Sequence, residues 1–294
     1  MAERDFLQWI RRRLGRRGGG ILVDSGDDAA LVRIGRSDVL LKTDAVVDGV
    51  HVDRRTATPE QIGHKALARC LSDIAAMGGR PSFAVVAMMI PRGTKDDVLF
   101  RTFLGMERAS RRFHVPIVGG DLGVYDGPLA ITVSLTGTMG GRRPVLRSGA
   151  RPGDWIGVTG ALGGSILGKH LTFTPRLREG RRLAERGATA MIDISDGLAV
   201  DLHHLCQESG VGAVLDEAAL PISSAARRLA RQDRRSPLEH ALSDGEDYEL
   251  LYAMPPRKAR TGIGRFVKGS GVALLRRDGT LVDLPPRGWE HRWS

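Results

Sequence analysis

The chain is poor in the residues that mark several common protein classes. It has two cysteines, Cys70 and Cys206, in 294 residues. Both fall in predicted helices, which argues against a disulfide framework and for a reducing compartment. Aromatic residues make up only 5 %. None alternates with basic residues along a strand, so the usual stacking platform for nucleic acid is missing. No apolar run approaches the roughly 20 residues of a bilayer span. The first residues scatter apolar side chains among charges, unlike a signal-peptide core. No Cys/His spacing suits zinc. There is no Walker loop and no kinase-type glycine-rich loop, which excludes the common NTP-binding folds. The expectation is a soluble cytoplasmic protein, with neither membrane nor nucleic acid among its partners.

What is present supports a folded enzyme-sized chain. Its length fits two ordinary domains, and an apolar content of 41 % can fill their cores. The net charge of +10 favours anionic partners. Arginine pairs such as Arg111-Arg112 and Arg181-Arg182 read as solvated helix faces. The 38 glycines follow no collagen-like period, so they serve turns and loops.

The most informative stretch is Leu71-Ser72-Asp73-Ile74-Ala75-Ala76-Met77-Gly78-Gly79. It closes a helix that starts at Thr58, with Pro59 and Glu60 in the first turn and glycine past the end. Ile62, Ala66, Cys70, Asp73 and Met77 recur at helical spacing, which sets Asp73 in an apolar stripe. A carboxylate there needs a partner. It either caps neighbouring backbone or meets a cation.

Other acids gather at predicted loops and element ends. Asp27-Asp28 follow the short strand Ile21–Val23. Thr43-Asp44 end a strand over 38–42, and Gly119-Gly120-Asp121 end another that begins at Pro116. Asp193 and Asp196 flank the junction between a strand over 190–192 and a helix over 198–209. Strand-end carboxylates in α/β proteins face the ligand crevice. Phe83–Ile90 is nearly all apolar and reads as a strand buried on both faces. Thr94 is placed to cap the next helix, and Asp278-Gly279 to turn a terminal hairpin. Residues 140–152 read as the interdomain connection. An all-oxygen donor set suits a hard cation, with Mg²⁺ shared between carboxylates and phosphates fitting best.

Several motifs recur in a specific order. They are Gly26-Asp27-Asp28-Ala29-Ala30-Leu31, Thr43-Asp44 with Gly49-Val50-His51, Leu71 to Gly79, and Gly119-Gly120-Asp121. Arg147-Ser148-Gly149-Ala150 with Gly153-Asp154-Trp155 follows, then Ile192 to Leu198, Gly245-Glu246-Asp247-Tyr248-Glu249-Leu250 and Gly288-Trp289-Glu290-His291. On these residues the chain resembles the thiamine-monophosphate kinase family of the aminoimidazole-ribonucleotide-synthetase-like superfamily.

The resemblance implies an α/β (α+β) two-domain fold. Residues 1–140 would form a dimerising sheet domain that binds ATP and Mg²⁺. Residues 141–294 would form an α/β domain completing the ATP and thiamine phosphate sites. The implied reaction is ATP-dependent phosphorylation of thiamine phosphate to thiamine diphosphate, by in-line transfer with several Mg²⁺ ions and no general base. By resemblance, Asp28, Thr43, Asp44, Asp73, Asp121, Asp193 and Asp196 are metal ligands. Gly120, Asp121, Arg147 and Ser195 contact ATP. His51, Glu246 and Trp289 hold thiamine phosphate, with Trp289 stacking on the cationic heterocycle. A homodimer is implied. The alternatives are another ATP-dependent enzyme of the superfamily and a non-catalytic binder. Three departures from the family pattern stand out: Lys42 where a small residue, often Ser, precedes the Thr-Asp pair; Leu122 where Thr is usual; and a shortened segment between Ser165 and His170.

Overall fold

A computed structural model describes residues 3–14, 19–259 and 261–289. The first half runs α1 (Glu3–Leu14), β1 (Ile21–Val23), β2 (Ala30–Ile34), β3 (Ser37–Val47), α2 (Pro59–Ala76), β4 (Arg80–Pro91), α3 (Asp96–Phe113), β5 (Ile117–Tyr125) and β6 (Ala130–Thr138). Its six strands form one sheet in the order β1-β2-β3-β6-β4-β5. Only the β4–β5 edge is parallel.

The second half continues with β7 (Trp155–Val158), α4 (Lys169–Thr172), α5 (Leu177–Arg186), β8 (Ala190–Asp193), α6 (Leu198–Ser209) and β9 (Gly212–Asp216). Then come α7 (Ser224–Leu229), α8 (Pro237–Ser243), β10 (Leu250–Met254), β11 (Gly264–Val267), β12 (Val272–Leu275) and β13 (Leu281–Asp283). These strands form a seven-stranded sheet in the order β13-β12-β9-β11-β7-β10-β8. The β12–β13 hairpin forms as its Asp-Gly turn predicts.

Helix α2 lies between the two sheets. Thr58 Oγ1 accepts from Gln61 N at 3.3 Å, while Gln61 Oε1 accepts from Thr58 N at 2.9 Å, a reciprocal cap on the first turn. At the other end Gly78, with φ of 72°, lets Gly78 N donate to Ala75 O and Gly79 N to Ile74 O. The helix is buried on nearly all sides, from Ile62 to Ala76. It packs on the first sheet, against α3, and against α5 and β8 of the second half. Gly180 makes that last approach possible: a Cβ there would stand 2.1 Å from Ala75 O.

Three strand expectations change. β3 does not stop at residue 42 but runs through Thr43-Asp44, because β6 pairs with it to Val47. β5 likewise carries Gly119-Gly120-Asp121 in mid-strand, paired to β4. β4 is not buried on both faces. Its residues alternate, with Phe83, Val85 and Met89 exposed and Ala84, Val86, Met88 and Ile90 buried under α2 and α3. The sheet therefore has one open, apolar face. Thr94 does not cap α3; Lys95 holds the cap position without a side-chain bond, and Thr94 Oγ1 donates to Pro91 O.

Candidate functional site

Strand alternation on β3 sends Lys42 and Asp44 to the face covered by α2, and Thr43 to the open face. On α2, Lys65, Arg69 and Asp73 are spaced four apart and line one stripe along the covered sheet. The cleft between the two halves is built from this stripe, the loop before β2, and the β8–α6 junction.

Asp28, Asp73 and Asp193 are brought together. Each offers a carboxylate oxygen within 4.8 Å of the other two, and all three residues are buried. Asp28 Oδ1 accepts from Arg147 NH2 at 2.7 Å and Nε at 3.2 Å. The Arg147 backbone N–H is shared between both Asp27 carboxylate oxygens at 3.2 Å. Asp193 Oδ2 accepts from Ser72 Oγ at 2.6 Å. Asp73 Oδ1 lies 2.9 Å from Lys42 Nζ. Asp28 Oδ2 is buried with no hydrogen-bond partner. Arg147 ties the start of the second half to the loop before β2.

Burial dominates the electrostatics. It pushes Asp193 up to about 6, reinforced by the Asp28 charge and opposed by the Ser72 bond. It pushes Asp27 up to about 7, again with help from Asp28. Burial also raises Asp73 well above the ordinary carboxylate range, while the Lys42 ammonium pulls the other way. Lys42 itself would be lowered by burial, but Asp73 and Asp44 hold it above its ordinary value. Concentrated, poorly hydrated negative charge of this kind fits a hard cation with oxygen ligands, and the orphaned Asp28 oxygen supplies a free ligand atom.

A cavity of about 1030 Å³ lies toward the start of α2. Its wall includes Asp48, His51, Arg54, Gln61, Leu167 and Glu246. Glu246 sits in a segment of unusual backbone, with φ of 53° at Glu246 and 50° at Tyr248. The segment is pinned from several sides. Glu246 N donates to Ser195 O, Tyr248 N to Ile194 O, Ser165 Oγ to Gly245 O, and Gly163 N to Asp247 Oδ2. Lys65, wholly buried, places Nζ 2.6 Å from Glu246 Oε1 and donates to His51 O at 2.5 Å. Tyr248 OH donates to the same Glu246 oxygen at 3.2 Å and stacks its ring on Phe173.

The expected site residues do not all converge. Asp44 adjoins the cluster and pairs with Arg69 at 3.5 Å. Asp196 is half-buried beside it, at the head of α6. Asp201 Oδ2, from inside that helix, accepts from Asp196 N and Gly197 N. Ser195 meets Glu246 through its carbonyl. Trp289 does not line the cavity. Its backbone N–H donates to Asp196 O at 3.0 Å and the residue is 54 % exposed. Its neighbours Glu290 and His291 lie outside the described residues. Thr43 and Asp121 both stand on the open face, Thr43 Oγ1 against Ser134 Oγ at 3.1 Å and Asp121 beside Ala87. Gly120 and Asp121 are on the edge strand, three strand spacings or roughly 14 Å from β3. Within one chain they do not reach the cluster.

Sequence reasoning missed Lys65, Arg69 and Ser72 as members of this site; Lys42 stood out only as a departure from the family pattern. The available signal was the four-residue spacing of Lys65, Arg69 and Asp73 in a helix too apolar to be solvated. The apolar stripe assigned to Asp73 is real: Ile62, Ala66, Cys70 and Met77 are buried on the same side of α2 as Asp73.

The comparisons agree with this architecture. Residues 26–139 match the family model described as AIR synthase related protein, N-terminal domain, and residues 143–273 its C-terminal counterpart. The thiamine-monophosphate kinase of Rhodopirellula baltica is 40 % identical, covering 98 % of this chain and 97 % of that protein. The Escherichia coli thiamine-monophosphate kinase is 33 % identical over 90 % of each. A solved structure described as AaThiL complexed with AMPPCP and TMP superposes with a TM-score of 0.87 at 31 % identity, covering 99 % of this chain and 97 % of that one. With both halves matched in order and relatives of this identity along nearly the whole length, the chain belongs to the thiamine-monophosphate kinase family of AIR synthase related proteins.

Proposed function

We propose that this protein transfers the γ-phosphoryl group of ATP to thiamine phosphate, forming thiamine diphosphate. The observation that carries the reading is the buried Asp28, Asp73, Asp193 cluster with its orphaned Asp28 oxygen, joined through α2 to a cavity walled by His51 and Glu246. The neighbour complexed with AMPPCP and TMP supports the same pair of substrates.

The acceptor is a phosphate oxygen already ionised near neutral pH, so no side chain need remove a proton. The work is to bring two polyanions together. Asp28, Asp73 and Asp193, with Asp44 and Asp196 alongside, would hold Mg²⁺, which when bound supplies charge neutralisation on the phosphates. Arg147 is fixed by Asp28 and Asp27 with its guanidinium at the cluster, where it meets nucleotide phosphate. Glu246 and the His51 loop orient the acceptor, and Trp289 at the cleft rim offers a face for its cationic ring.

The division falls near residues 140/141, with the first part dimerising. The open face of the first sheet supports a homodimer: Leu41, Phe83, Val85 and Met89 are exposed on it, more apolar surface than an isolated monomer usually leaves bare. Thr43 and Asp121 share that face, so any part they play at the nucleotide requires the second copy. The two cysteines are free and buried, in keeping with a cytoplasmic protein. Incubating purified protein with ATP, Mg²⁺ and thiamine phosphate should yield thiamine diphosphate and ADP in equal amounts by chromatography. Absence of thiamine diphosphate would overturn the proposal.

A further inference from the structure

The acid cluster carries a cation of its own. Lys42 reaches from β3 to Asp73, with Nζ 2.9 Å from Oδ1. The cluster oxygens are then unequally engaged. Asp73 Oδ1 faces an ammonium, Asp28 Oδ1 faces a guanidinium, and Asp193 Oδ2 accepts from a hydroxyl. Asp28 Oδ2 has no partner, although the residue is only 2 % exposed. One side of the cluster is thus open to a divalent ion, while the Asp73 side is already neutralised. A divalent ion on Asp73 Oδ1 would stand against a fixed positive charge, which it would have to displace.

We propose that Lys42 is a resident cation of the phosphate site, taking the place of one divalent ion at Asp73 and meeting the nucleotide phosphates directly. The inference rests on the phosphoryl-transfer reading above and deepens it. The Lys42 side chain is 21 % exposed, so its ammonium is not sealed from the cleft. Lysine binds phosphate as a point charge and needs no fixed approach geometry. Unlike a bound ion, this charge does not dissociate. Neutralisation at the Asp73 side is then independent of Mg²⁺ concentration.

The test counts ions. Mn²⁺ serves as the probe, with free Mn²⁺ read by electron paramagnetic resonance in the presence of a non-hydrolysable ATP analogue. Lys42→Ser should bind about one more Mn²⁺ per protomer than the wild type. Lys42→Arg, which keeps the charge, should match the wild type. Equal counts in wild type and Lys42→Ser overturn the inference, as does an equal gain in Lys42→Arg. Should the serine variant not fold, Lys42→Gln is read in the same way. Formation of thiamine diphosphate by the wild type is scored separately. Activity with equal counts removes only the role of Lys42, whereas a wild type without activity removes the reading beneath it.

Discussion

Replacing Lys65 by Met would separate the structural from the functional use of the most deeply buried charge in α2. The Lys65 side chain is 0 % exposed, against 29 % for Glu246. Met keeps most of the stem volume, so little cavity opens. Two interactions vanish, the ion pair to Glu246 and the bond to His51 O. Removing one partner of a wholly buried pair costs about 3–5 kcal/mol. Glu246 can turn partly to water and keeps its bond from Tyr248, so a stability loss of about 1–3 kcal/mol is expected. A chain of this size tolerates that. Both groups released by the change wall the cavity proposed for the acceptor. The KM for thiamine phosphate should therefore rise roughly tenfold, near 1.4 kcal/mol, with the KM for ATP little changed. Denaturant titration and steady-state kinetics with each substrate varied provide the readout. If stability falls while the acceptor KM stays put, Lys65 is a core prop and Glu246 does not orient the acceptor.

Trp289→Ala should raise the thiamine phosphate KM by roughly 0.5–2 kcal/mol, without altering the ATP KM or the melting temperature, since half of the residue is already solvated. A change in melting temperature alone would make it a packing anchor. Asp73→Asn should abolish turnover; because it strands the Lys42 ammonium, it should also cost about 1–3 kcal/mol in metal-free protein, measurable by denaturation, and a stabilised variant would contradict the ion pair. Burial pushes Asp247 up to about 6. Its folded value lies above its unfolded one, so its contribution is full below about pH 4 and is lost as pH rises through about 6. Asp247→Asn should gain on the wild type by on the order of 2 kcal/mol across that window, read as melting temperature against pH; a flat difference would refute it. Val85→Glu should convert dimer to monomer in sedimentation, and an unchanged mass would remove the open face as the interface.

Local signals were legible in the sequence and non-local ones were not. The start and stop of α2 are written in Thr58, Pro59, Glu60 and Gly78, all within one turn of the ends they define. The extent of β3 and β5 depends on how far β6 and β4 pair with them, which no local pattern encodes, so Thr43-Asp44 and Gly119-Gly120-Asp121 look like strand ends. β4 reads as doubly buried because its open face is as apolar as its covered one. The acids of the cluster stand out by their placement next to glycines and strands. Lys65 and Arg69 do not, because they look like ordinary surface basics until the fold buries them; Arg147 and Lys42 stand out only through the family resemblance. Asp201 hides for a related reason: its capping of the α6 entrance runs backward from inside the helix.

Helix α2 has a consequence for how two substrates are kept in step. Lys65 touches Glu246 at the acceptor cavity, and Asp73 stands in the acid cluster, eight residues or about 12 Å along the same axis. On the proposed reading both substrates are indexed to one rigid rod, and the span between them is metered by helical rise rather than by how far two domains happen to swing together. Such a gauge cannot be adjusted by small steps. Inserting a single residue between Arg69 and Asp73 would turn everything beyond it by about 100°, carrying the carboxylate out of the cluster while leaving the acceptor end in place.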